Sequence, residues 1–550
     1  MRLKTTLQLL ALAFLLINGT GCTKVGPDYV KAKDVAMPTT WETDLPKSDH
    51  NITTWWKLFN DPTLDTLVEK SYEQNLDLRS AGLRILQARA ALGVSEGLFY
   101  PQQQNVSGFL AGGRAGGNNY GAAGLNFDVG WEMDVWGKYA RGAESAEATL
   151  YASVASYDDI LVSIIAEVAR NYVSYRTSQE RIKFAKRNTI IQEKIVEITQ
   201  IQFNAGNVSE LDMQQARTQL YSTKSILPVL ELSKIKSRNA IAILLGTIPQ
   251  EVEMLLLSEQ TAKADQEVVD NVDLLQASLI THDYNSSSYI PTFVLEDNIT
   301  IDANLVRRRP DLQVAELQTL AQNAKIGATK AELYPHFSLF GNIGYNNQQS
   351  GGIHLSTGDA IGISVGPSFS WNIFQYGRIK NQVRLQDALF QESLTNYNKK
   401  VLQAVQEVSN ALNGYTYTKE QLELNAKAIE ATVRAFDISI IQYNDGLVGY
   451  QRLLTSVQNL TRNEDQYAQI QGNIATQVIA LYKALGGGWE MGRGKTYVSE
   501  ADIKQMKSRT DWGDYLDDNR TLMPSYEDEN GTINIIHIDT NSTLQPKGLN

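Results

Sequence analysis

The sequence predicts an α+β fold in which one helix–strand–strand–long helix–helix unit is built twice, with strands that one chain cannot close by itself. Three observations predict it. The first is an internal repeat. Phe203-Asn204-Ala205-Gly206-Asn207-Val208 matches Tyr443-Asn444-Asp445-Gly446-Leu447-Val448 at a shift of 240, as Glu167-Val168 matches Glu407-Val408 and Tyr175 matches Tyr415. Further upstream the shift is 234, pairing Asp77-Leu78 with Asp311-Leu312, Leu92-Gly93 with Ile326-Gly327, and Tyr100-Pro101 with Tyr334-Pro335. The second is a pair of segments that alternate apolar with small or polar residues. The third is a pair of very long stretches without proline, residues 138–203 and 378–443.

Each element follows from its own pattern. Leu125, Phe127, Val129, Trp131, Met133 and Val135 alternate with Asn126, Asp128, Gly130, Glu132 and Asp134. In the second copy Ile361, Ile363, Val365, Pro367, Phe369, Trp371 and Ile373 alternate with Gly362, Ser364, Gly366, Ser368, Ser370 and Asn372. A period of two with one apolar face marks a strand lying between lipid and water. Partner strands follow each Tyr-Pro, so the expected strands cover about residues 102–111, 120–135, 336–345 and 361–373. Four such strands cannot close a barrel alone; further copies of the chain must complete it.

Helix is expected over 138–203 and 378–443, on the order of 100 Å each at 1.5 Å per residue. Val154, Tyr157, Leu161, Ile164, Val168, Tyr172 and Tyr175 step by three and four, which is coiled-coil spacing. Return helices over 209–245 and 449–485 supply the partner surfaces, with Pro228 expected to divide the first into two. The organisation is therefore 1–21 leader, 22–60 extended segment, 61–246 first repeat, 247–293 linker, 294–486 second repeat and 487–550 polar tail.

The leader reads as a bacterial lipoprotein signal. Arg2 and Lys4 precede an apolar core at 7–17, and Gly19-Thr20-Gly21 leads directly to Cys22, the sole cysteine. Cys22 would carry a diacylglyceryl and acyl (palmitate) lipid and become the new N-terminus; no other cofactor and no metal is expected. Thr23 carries no acidic retention mark, which favours an outer membrane. Beyond it no run of about 18 apolar residues occurs, so any membrane crossing must be made of strands.

Aromatic and cationic residues end the strands: Trp131, Trp136, Lys138 and Tyr139 in one copy, Trp371, Phe374, Tyr376 and Arg378 in the other. Such residues are expected at headgroup level, with the cations meeting lipid phosphates. A formal charge of −11 argues against nucleic acid as a partner. No catalytic constellation emerges. Gly362-Ile363-Ser364-Val365-Gly366 mimics a nucleophile elbow, but the alternation runs on through it. Gly494-Lys495-Thr496 mimics a P-loop end, but Trp489 stands where the first glycine belongs. The five histidines lack metal-ligand spacing.

The chain resembles the TolC-like outer-membrane efflux factors, specifically their lipoprotein branch (OprM/NodT-like). The resemblance rests on Val25-Gly26-Pro27-Asp28-Tyr29 after Cys22, Asp134-Val135-Trp136-Gly137, Arg308-Arg309-Pro310-Asp311-Leu312, Ile326-Gly327 before Tyr334-Pro335, and Gly487-Gly488-Trp489-Glu490. It implies a homotrimeric, non-enzymatic multidrug-type efflux duct in the Gram-negative outer membrane. Twelve strands would form one barrel, continued by a coiled-coil periplasmic tunnel. A periplasmic adaptor and an inner-membrane transporter of the RND type would be the partners. The helical tips, where adaptor contact and the constriction lie in the family, map to Asn204, Gly206, Val208, Asp212, Asn444, Asp445, Gly446, Val448 and Tyr450. Gly206 and Gly446 would cap the long helices in the left-handed conformation. Members often carry acids just after the second turn; here Val448 and Gly449 stand there, with Asp445 and Asp212 the nearest carboxylates. The principal rival to a duct is a periplasm-spanning coiled-coil strut without a pore.

Overall fold

The structure, a computed structural model, describes residues 24–30, 52–257, 288–291, 293, 306, 308–350 and 361–517. The leader, Cys22, most of the linker and the end of the tail lie outside the described residues. Elements occur in the order α1 (Pro62–Gln74), α2 (Leu76–Gly97), β1 (Gln103–Ala115), β2 (Asn118–Met133), α3 (Lys138–Asn204), α4 (Glu210–Leu244) and α5 (Pro249–Leu256). They continue with α6 (Pro310–Ala331), β3 (His336–Ser350), β4 (Ile361–Ser370), α7 (Arg378–Asn444), α8 (Tyr450–Ala484) and α9 (Glu500–Arg509). Among the described residues no single helix is long and apolar enough to cross a membrane.

The strands form one antiparallel sheet in the order β1-β2-β3-β4, so the two repeats contribute adjacent hairpins. The register explains the alternation. Val106, Phe127, Ile343 and Ile363 stand in one row across all four strands, and Met133, Phe337 and Phe369 in another. One step along, Asn105, Asp128, Asn342 and Ser364 make a polar row on the opposite face, where Asn342 Nδ2 donates to Asp128 at 2.6 Å. Two aromatics break that polar face, and each has glycine room: Phe109 lies over Gly124 and Phe340 against Gly366. Ser364 sits mid-strand opposite Asn342, so the elbow-like pentapeptide is ordinary β structure. Among the described residues the outer edges of β1 and β4 are unpaired.

The long helices α3 and α7 each run 67 residues, and each reverses into a 35-residue partner, α4 and α8. Two apolar cores lie along them. One gathers Leu161, Ile165, Tyr172, Val408 and Val478 with the N-terminal Trp55, Trp56 and Phe59, and Trp55 stacks on Tyr482 at 5.6 Å. The other, towards the turns, gathers Ile191, Ile195, Phe436, Tyr443 and Leu453. Pro228 does not divide its helix: α4 is continuous through it. The lost hydrogen bond falls on an exposed face, where water can satisfy the freed carbonyl, while Thr223 and Leu230 stay buried on the other side.

Both described terminal segments act as straps over glycines that the repeat makes equivalent. Residues 24–30 cross α6 at Gly327, where a Cβ would lie 2.8 Å from the Val25 carbonyl. Val25 N donates to the Trp136 carbonyl at 3.1 Å, and fully buried Arg141 donates to Asp28 at 2.7 Å. Across α2, the tail covers Gly93, whose Cβ would lie 2.2 Å from the Tyr515 hydroxyl. Arg79 holds Asp502 in a two-pronged pair at 2.7 and 2.5 Å. The Arg-Arg-Pro-Asp motif has a similar job: Arg309 bonds Asp311, Glu407 (2.7 Å) and the Ala484 carbonyl (2.8 Å), tying the start of α6 to α7 and α8.

Candidate functional sites at the two ends of the long helices

The far ends of α3 and α7 reverse through matching turns. Gly206 (φ 79°) and Gly446 (φ 71°) are left-handed, a conformation that costs any residue with a Cβ. Gly206 N donates to Phe203 O and Asn207 N to Gln202 O, both at 2.9 Å; Gly446 and Leu447 repeat the pattern on Tyr443 and Gln442. This is the Schellman closure, which satisfies the last helical carbonyls. Asn204, Asn444 and Asp445 are exposed at the very tips, while Val208 and Val448 are half-buried against the hairpins.

The two turns then differ. Ser209 and Asp212 form a reciprocal capping box at the start of α4, with the Asp212 carboxylate accepting from Ser209 N at 3.0 Å and Ser209 Oγ at 2.7 Å. The start of α8 has Gly449 at the cap, with no side-chain hydrogen bond and no acid in its first turn. Asp212 is therefore spent on helix capping, which leaves Asp445 as the exposed acid at the second turn. Tyr450 points inward: it is 3% exposed and packs edge-on against Tyr443 at 5.9 Å, so it supports the hairpin rather than facing a partner.

Polar bridges that local sequence did not announce join the two hairpins. Tyr443 donates to Thr199 Oγ1 at 3.2 Å. Higher up, Glu464 is fully buried and takes both Arg187 and Asn188 Nδ2 (2.7 Å), while Arg181 grips Asp465 at 2.6 and 3.1 Å. A buried carboxylate is tolerable only with such partners.

At the near ends, where strands become helices, the aromatic residues behave differently from the cations. Trp131 Nε1 donates to the Phe99 carbonyl at 3.0 Å, and its repeat equivalent Trp371 to the Leu333 carbonyl at 3.1 Å. Trp136 donates to Pro335 O at 2.8 Å and stacks on Tyr334 at 4.8 Å. Phe374 and Tyr376, beyond the end of β4, are 87% and 100% exposed. Lys138 does not join them. Its ammonium lies 2.7 Å from Glu332 and 3.4 Å from Glu132, and Glu132 shares a row with Ser338 and Ser368 on the polar face. Burial disfavours the ammonium, yet Glu332 and Glu132 outweigh it and hold its pKa above the usual lysine value. Tyr139 is likewise held close to Glu132, and burial with that carboxylate keeps its phenol protonated. Lys138 and Tyr139 are therefore drawn to carboxylates of the polar face, away from the apolar face on which residue type alone would put them. The reason is electrostatic: a cation beside two carboxylates goes to them.

His336 completes this cluster, with Nδ1 2.9 Å from Glu132 and Nε2 3.3 Å from Glu332. Sequence reasoning missed it, because its partners lie on a different strand and at i−4 on a neighbouring helix end. The described residues contain no group of His, Cys, Asp and Glu able to hold a metal ion.

An open-edged sheet with one apolar exposed face, standing on paired 67-residue helices, is the fold of the outer-membrane efflux channels. The chain belongs to the outer membrane efflux protein family, whose profile matches residues 67–247 and 303–487, one segment per repeat. It is similar to Nodulation protein T of Rhizobium leguminosarum bv. trifolii, at 27% identity over 86% of this chain and 95% of that one. Similarity extends to the probable outer membrane lipoprotein SilC of Salmonella typhimurium, at 24% identity over 88% of this chain and 99% of that one. Among solved structures, the outer-membrane channel OprN matches with a TM-score of 0.73 and 30% identity, covering 85% of this chain and all of that one. The open-state MtrE channel of Neisseria gonorrhoeae shares the fold, with a TM-score of 0.69 at 24% identity over 85% of this chain and 98% of that one.

Proposed function

We propose that this chain is the outer-membrane duct of a tripartite export system, passively conducting small molecules delivered by a periplasmic adaptor and an inner-membrane transporter of the RND type. Three copies would join their sheets into a twelve-stranded barrel and their hairpins into a periplasmic tunnel. Cys22 would carry the lipid anchor. The observation that supports this best is the sheet itself. A chain on its own would leave Val106, Leu110, Ile363, Val365 and Phe369 in water, each more than 70% exposed. Lipid on that face and neighbours on the edges of β1 and β4 remove both liabilities. Exposed apolar residues also run along α4 (Tyr221, Val229, Leu232, Ile243) and α7 (Leu402, Tyr417, Leu424, Ile441), which suits packing between copies.

Relatives include a cation efflux protein, a pyoverdine export protein and an antibiotic efflux protein, so kinship alone does not choose the cargo. A poreless strut explains the helices but gives no reason for a polar face opposite the apolar one. Planar-bilayer recording of the purified protein tests the duct directly: discrete conductance steps are expected, and their absence contradicts it. The tip assignment is tested by Asp445→Ala and Val448→Ala, which should raise conductance if the second turn narrows the lumen. Conductance and export unchanged in both variants would remove the constriction from these residues.

A further inference from the structure

At the junction of sheet and helices the ends of α2 and α6 and the starts of α3 and α7 line an open cleft of about 460 Å³. Its wall is built from residues that the repeat makes equivalent: Lys138 with Arg378 at the shift of 240, and Ser95 with Thr329 and Leu98 with Glu332 at the shift of 234. Matching positions from both repeats meet here because both present the same side of the wall. Lys138 shows which side that is, through its bond to Glu132 on the polar face.

The two cations are in different states. Lys138 is spent on Glu332 and Glu132. Arg378 makes no side-chain ion pair or hydrogen bond among the described residues, and neither do the Thr329 hydroxyl and the Gln382 amide, which line the same cavity. Three donors without a side-chain partner among the described residues, one of them a permanent cation, thus line one space. Tyr139, Ile379 and Leu98 supply ring and alkyl surface beside them. The chemistry of this lining is that of a receptor for an anion with an apolar body.

We propose that this cavity binds an organic anion, a carboxylate, phosphate or sulfonate carried on an apolar group, with Arg378, Thr329 and Gln382 as its donors. The proposal rests on the reading that the sheet's polar face lines the duct, and deepens it: the junction between barrel and tunnel becomes a station for anionic cargo. A lipid phosphate offers the same chemistry, so the test has two arms. Full-length protein in neutral detergent is titrated calorimetrically with 1-naphthalenesulfonate and, separately, with short-chain phosphatidylglycerol.

Binding in either arm that Arg378→Gln weakens about tenfold or more, as expected for loss of a charged hydrogen bond, supports the site. The responding arm tells whether lumen or bilayer supplies the anion. Thr329→Val, a gentler change, should weaken the same arm, while Arg384→Gln, on α7 but outside the cavity, should leave it unaltered. Affinity indifferent to both Arg378→Gln and Thr329→Val, or equal binding of 1-naphthylmethylammonium, overturns the proposal. The titration needs no conduction, so a silent bilayer recording would contradict the duct and leave the anion site to be judged separately.

Discussion

Glu147, near the start of α3, shows how one residue sets a pH dependence that composition conceals. Burial raises its carboxyl to a pKa of about 7, and the neighbouring Glu96 and Glu144 push in the same direction against Lys24. The folded chain therefore keeps a proton that the unfolded chain releases near its ordinary value of 4.5. Between those values the folded state binds more protons, so this residue's contribution to stability falls as pH rises through the window. Glu147→Gln should melt above the parent protein at pH 8 and level with it near pH 5, as followed by thermal circular dichroism. A constant difference at both pH values would mean that Glu147 is ionised throughout. Nothing in the local sequence marks Glu147, because the acids around it come from α2 and from one helical turn away. The same holds for Glu132, Glu332 and His336, three residues brought together from three element ends. Trp131 and Trp371 are the counter-example: their repeat equivalence is visible in the sequence, and the structure gives them equivalent hydrogen bonds.

At the scale of elements, periodicity was the legible part. Strand alternation and the three–four spacing of the long helices are local signals, and the register and the buried stripe of α3 follow them directly. Pro228 misleads, because a proline breaks a helix by its own chemistry while packing on α3 decides whether the helix resumes. The paired turns carry a difference that only the backbone reveals. Both need a left-handed glycine, and a Cβ at Gly206 or Gly446 would meet nothing within 4 Å, so alanine there costs conformational energy alone. Gly206→Ala and Gly446→Ala should each destabilise by about 1 kcal/mol. The second should also raise protease susceptibility more, since α8 lacks the capping box that secures α4. Limited proteolysis with mass spectrometry checks this; equal cleavage at the two turns would show that the cap does not matter. Of the two acids nearest the turns, Asp212 belongs to a cap. Residue type gives the charge, and only geometry says what the charge is bonded to.

For the whole molecule, the central claim is that the four-stranded sheet is one segment of a wall with lipid on one side and water on the other. The native chain has one cysteine, Cys22, which lipid attachment would mask from thiol reagents, so introduced cysteines can be read one at a time. Ile363 and Ser364 are neighbours in β4 whose side chains leave opposite faces of the sheet. Labelling of Ile363→Cys and Ser364→Cys in outer-membrane vesicles with a membrane-impermeant maleimide is the most direct measurement. Rapid reaction at position 364 and protection at 363, reversed in accessibility to a lipid-soluble quencher, is the predicted result. Equal, rapid reaction at both positions would mean that water wets both faces, and that these strands form no membrane wall.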